Sequence, residues 1–209
     1  MSVLNEIAYF RNRRDEVPNR ELAQKLAAAK DRKGIREIAE NLWNENPQVQ
    51  SDCLKVLYEI GFIQPDLIAD YAGDFLKLLQ SKKNRLVWGS MIALSTLAEI
   101  NADEIFLRMK EIKQAMANGS VITLDNGIKT LAIIASKKAT YQKQLFPLLL
   151  KYLATCRPKD IPQYAEKILV AANTGNKKAL LKILNQRLVD LKPSQLPRVG
   201  KIIKAAEAL

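Results

Sequence analysis

The chain has 209 residues, 48% hydrophobic and 26% charged, with a net charge of +11 and no histidine. That size and mix suit a globular or solenoid protein with a substantial core. The missing histidine excludes a His general base, a Ser-His-Asp or Cys-His pair and any His-containing zinc site.

Leu, Ile and Ala recur at helical spacing with few alternating β-branched runs, which predicts an all-α chain. The first residues, MSVLNEIAYFRNRRDEV, place acids and arginines where a signal peptide would need its apolar core. No apolar stretch approaches the roughly 18–20 residues of a membrane span. A short helix is expected near 2–13, with 1–17 acting as an N-terminal cap. Helices over 18–30 and 34–45 follow, and there Trp43 extends the stripe Ile35, Ile38, Ala39, Leu42 as a core residue.

From 47 onward the sequence repeats itself. PQVQSDCLKVLYEIG (47–61) carries Val49, Cys53, Val56, Leu57, Ile60 and Gly61. The same pattern returns as Leu86, Ser90, Ala93, Leu94, Leu97, Ala98, then as Thr123, Gly127, Thr130, Leu131, Ile134, Ala135. It returns once more as Ile161, Ala165, Ile168, Leu169, Ala172, Asn173. The second position is always small, as close approach of two helices requires. A second amphipathic helix lies between copies, at 65–80, 102–118, 141–156 and 176–191. Pro65 suits a first helical turn, Gly61 and Gly119 suit helix ends, and Asn101 and Ser120 suit N-caps. Pro147 either starts the main part of its helix or kinks it. A last helix over 194–208 would cap the stack.

These features predict an all-α, α-solenoid (superhelix) domain of about five antiparallel helix pairs, at 18–45, 47–80, 83–118, 120–156 and 159–191, with capping segments at 1–17 and 194–209. The repeats resemble the HEAT/armadillo class over roughly residues 18–209. Pro47, Val49, Cys53, Val56, Leu57, Ile60 and Gly61 fit that family's first-helix pattern, while Gln50 and Val87 stand where it commonly has arginine. The resemblance implies a curved stack with first helices outside and second helices lining a concave face, used chiefly to bind proteins or nucleic acids.

Setting the first position of each repeat at 0° places the core positions within one arc, and positions two and six residues later near 200° and 240°. The first of those columns reads Ser51, Trp88, Asp125, Gln163, and the second Lys55, Ile92, Lys129, Lys167. Trp88 and Ile92 are thus apolar in one repeat of a polar, basic column. Either the ring folds sideways against a neighbouring repeat, or the pair forms a contact patch for a partner or a second copy.

Charge is also unevenly placed. Residues 1–136 hold 18 basic and 18 acidic residues, and residues 137–209 hold 15 and 4. Asp66, Asp70, Asp74 and Lys77 form one stripe in the second helix of the 47–80 repeat. Lys143, Lys151, Lys178, Lys182, Arg187, Lys201 and Lys204 in the last third are candidates for contacting an anion or nucleic acid. Cys53 and Cys156, isolated in apolar patterns, predict an intracellular, cytoplasmic chain with two free thiols. No Gly-rich phosphate loop, metal site or cofactor site is legible.

The reading is a non-enzymatic scaffold that binds a macromolecular partner, a protein first or a second copy of itself. The alternative is nucleic-acid binding through the basic last third. HEAT-like alkylpurine DNA glycosylases offer a third comparison, but Trp88, Asp125 and Arg85 are only loose counterparts of their tryptophan, aspartate and arginine.

Overall fold

The computed structural model describes residues 2–209. Its α-helices are α1 (Val17–Ala29), α2 (Arg32–Glu40), α3 (Pro47–Ile63), α4 (Ala72–Leu78), α5 (Asn84–Leu97) and α6 (Ala102–Leu107). They continue with α7 (Met109–Asn118), α8 (Val121–Lys137), α9 (Ala139–Thr155), α10 (Ile161–Leu169), α11 (Lys177–Arg187) and α12 (Leu196–Glu207). No strand occurs among the described residues. The chain divides into two compact units, Met1–Gly127 and Ile128–Leu209, and the division falls inside α8.

Local chemistry sets the boundaries. Asn46 caps α3 by accepting from the Gln48 amide at 2.9 Å, and Pro47, whose missing N–H would have no helical partner, opens it. Asp31 caps α2 through the Gly34 amide at 2.9 Å. Lys30, in the left-handed region at φ 49°, ends α1, and the Asp31 amide then reaches back to the Leu26 carbonyl at 3.0 Å. Ser120 accepts from the Thr123 amide at 3.3 Å at the start of α8.

In the first unit α1, α3 and α5 pack side by side, with α2 against α3 and α4 against α5. The repeated positions form this core: Val49, Cys53, Val56, Leu57 and Ile60, then Leu86, Ser90, Ala93, Leu94 and Leu97, are all buried. In the second unit α9 packs on α10 and α11, and α12 packs on the same two helices. The fourth repeat copy is cut short. Ile161, Ala165 and Ile168 are buried, but α10 ends at Leu169, which is half-buried, and Asn173 is exposed.

Several expectations are corrected. The helix expected near 2–13 is a single 3-10 turn, Val3–Glu6, followed by turns. Side chains take the backbone donors a helix would use: Glu37 accepts from the amides of Val3 and Leu4, Asn19 from Ala8, and Asp52 from Tyr9. The helix expected over 65–80 begins as two 3-10 turns and becomes α-helical only at Ala72. That over 102–118 is two helices separated at Arg108. Gly61 lies inside α3 and is buried rather than ending it. Trp43 is 51% exposed, because a 3-10 turn over Asn41–Trp43 advances the chain by about 120° rather than 100° per residue and swings the ring off the stripe. Pro147 lies within α9, at an exposed position.

Candidate interaction site

Trp88 projects from α5 and is half-buried. Its ring lies 6.4 Å from that of Tyr58 on α3, tilted by 55°, and the Arg85 guanidinium sits 5.9 Å over it. Arg85 in turn pairs with Glu16, just ahead of α1, at 2.6 Å. The ring therefore has a neighbouring repeat on one side and an ion pair above. Ile92, one turn along α5, is half-buried as well. The column holding Trp88 is half-buried in every copy, at Ser51, Asp125 and Gln163 too.

Lys55, expected in a polar and basic column, is buried. Its ammonium contacts Glu59 at 2.6 Å and Glu16 at 3.0 Å and lies 4.8 Å over the Tyr58 ring. Burial pulls its pKa down, but the two glutamates and Tyr58 outweigh it, so the ammonium is held charged more firmly than usual. The Tyr58 phenol is also raised, chiefly by burial. Tyr58, Arg85, Trp88 and Lys55 thus form one cluster across α3 and α5. Pattern reasoning missed Tyr58 and Lys55. The signal available was the pair Lys55 and Glu59 at i, i+4, beside Tyr58.

A cleft of about 830 Å³ opens beside this cluster, lined among others by Tyr9, Arg13, Arg14, Ser51, Asp52 and Arg85. Its basic residues are partly engaged, Arg13 by Asp15 at 2.8 Å and Arg85 by Glu16.

In the second unit, Lys143 and Lys151 are exposed on α9, Lys178 and Lys182 on α11, and Lys201 and Lys204 on α12. Arg187 differs from the other anion-contact candidates. It is half-buried; Nη1 donates to the carbonyls of Leu153 (2.9 Å) and Ala154 (2.6 Å), Nη2 donates to that of Cys156 (2.8 Å), and Nε pairs with Asp190. The guanidinium caps the carboxyl end of α9, which is where a helix leaves carbonyls without partners.

No family model matches the chain, and comparison with curated proteins gives no match. Solved structures do resemble it. A designed armadillo repeat protein in complex with the peptide (KR)4 superposes with a TM-score of 0.70 at 17% identity, over 90% of this chain and 85% of that one. An engineered protein superposes with a TM-score of 0.68 at 17% identity, over the whole of both chains. Kap121p does so with a TM-score of 0.64 at 16% identity, over 96% of this chain and 22% of its own. The fold is a HEAT/armadillo-like α-solenoid.

Within this solenoid the other candidate chemistry is placed as follows. Asp125 is half-buried on α8, while Trp88 and Arg85 lie on α5, with the Arg85 guanidinium held by Glu16. Burial pushes the Cys53 thiol up to about 12, so it stays protonated at neutral pH. Among the described residues no group of three or more Cys, Asp or Glu could hold a metal ion, and no helix is long and apolar enough to cross a membrane.

Proposed function

We propose that this chain is a non-catalytic repeat scaffold that binds a protein partner through the surface of its first unit. The observation that supports this most is the likeness, over nine-tenths of the chain, to an armadillo repeat protein solved with a peptide bound. The contact region we assign is Trp88 with Arg85 and Ile92 on α5, and the buried Tyr58 on α3 supports the Trp88 ring from behind. Trp, Tyr and Arg are the residue types that dominate binding energy at protein interfaces, because they combine a large apolar area with a directional polar group. Here Trp88 and Arg85 meet on α5, with Tyr58 behind the ring and Glu16 holding the guanidinium.

Selection of a displayed peptide library on the purified chain tests the reading. Enriched peptides are expected to lose binding at least about tenfold on Trp88→Ala, the size of one interface anchor, and to tolerate Trp43→Ala. No enrichment, or equal binding by the Trp88→Ala chain, would sink it.

A further inference from the structure

Helices α9 and α11 lie side by side in the second unit, and neither contains an acidic residue. On α9 the buried face is Leu145, Phe146, Leu149 and Leu153, and Lys151 stands opposite it, with Lys143 on the flank. On α11 the buried residues are Leu180 and Leu184, and Lys178 and Lys182 stand opposite. Two neighbouring helices therefore present lysines outward with no acid of their own beside them.

Ordinary solvated helices in this molecule look different. In the first unit Lys77 pairs with Asp74 and Arg108 with Glu111, each within one helical turn. In the second unit three of the four acids go to arginines: Asp160 to Arg157, Asp190 to Arg187 and Glu166 to Arg198. Residues 128–209 hold 16 basic and 4 acidic residues, a net +12, whereas residues 1–127 carry 17 and 18, a net −1. The excess is carried by lysine.

That chemistry selects the partner. Protein interfaces are depleted in lysine and anchored by Trp, Tyr and Arg. In the second unit there is no Trp, the arginines are held in ion pairs, Tyr164 is buried, and Tyr141 and Tyr152 are half-buried. Binding of single strands would need exposed rings on which bases stack, and Phe146, the remaining aromatic, is buried too. What is left suits regularly spaced phosphates, each met by a point charge on a flexible stem. We propose that the α9–α11 lysine face binds the phosphate backbone of double-stranded nucleic acid without reading its sequence.

The test is fluorescence anisotropy of a labelled mixed-sequence duplex DNA of about 20 base pairs, titrated with the full chain at salt from about 50 to about 200 mM. Four lysine–phosphate contacts predict an affinity falling about 100-fold across that range. Lys151→Gln/Lys178→Gln/Lys182→Gln should reduce the slope of log affinity against log salt by about 3, since each phosphate contact contributes about 0.9. These side chains are exposed, and an unchanged thermal melt will show that the fold is kept. Absence of binding at low salt overturns the proposal. So does a variant that binds like the parent, tighter binding of a single strand of equal length, or preference for polyglutamate over duplex at equal charge. An equal loss per lysine from Lys201→Gln/Lys204→Gln on α12 would overturn the assignment to this face.

Discussion

Arg187 shows how a residue that looks like part of a charged surface can be a piece of architecture. Apart from the ion pair with Asp190 three residues on, its contacts are with carbonyls more than thirty residues upstream, so the local sequence offers the pair but not the capping role. Only the packing of α11 on α9 brings the fork to the end of that helix. Replacing it with alanine should lower unfolding stability by about 2–3 kcal/mol, as expected for partly buried carbonyls losing a charged donor. Lysine should not restore it, because one ammonium cannot span three carbonyls. Urea unfolding of both variants checks this, and a lysine variant as stable as the parent would refute the capping role. Trp88 is the converse case. Its departure from the core face was legible in the repeat register, whereas its cover was not, since Tyr58 and Glu16 come from a different repeat and from the segment ahead of α1.

At the level of the helices, the repeat register carried most of the fold, because burial at each repeated position depends only on helical period and close approach. It failed where the period itself changes. The 3-10 turns at Asn41–Trp43, Pro65–Leu67 and Ala69–Tyr71 rotate side chains by a different step, and the first of them took Trp43 out of the core. Gly61 is the clearest single test of how closely these helices pack. A glycine inside a helix ordinarily costs about 1 kcal/mol relative to alanine. Here an alanine Cβ would collide with Thr96 Oγ1 on α5 and lie 2.9 Å from Ile68 Cδ1. Thr96 has little freedom to give way, being β-branched and bonded to the Ala93 carbonyl at 2.7 Å. Gly61→Ala should therefore destabilise the chain by about 1–3 kcal/mol, and Thr96→Ala in the same chain should recover part of the loss. Denaturant midpoints of the single and double variants decide it. A gain in stability from Gly61→Ala alone would show that the helices are further apart than described.

Across the whole molecule, the division into units nearly coincides with the division of charge, a net −1 in residues 1–127 and +12 in 128–209. Like charges crowded on one unit repel, and salt screens that repulsion over about 10 Å at 0.1 M. Raising salt should therefore increase amide hydrogen-exchange protection within residues 128–209 more than within 1–127. Equal changes in both would mean that the lysines are too dispersed to act on one another. The distinction between lysine and arginine in the second unit has a chemical consequence as well. Acetylation removes the charge of a lysine amine and does not touch a guanidinium. An acylating reagent or enzyme acting on this unit would erase its outward charge residue by residue, while Arg157, Arg187 and Arg198 kept their partners. Lys177, which donates to the Glu207 carbonyl, is the exception. The outward charge of Lys143, Lys151, Lys178 and Lys182 is separable from the arginine ion pairs of this unit, and can be adjusted after the chain has folded.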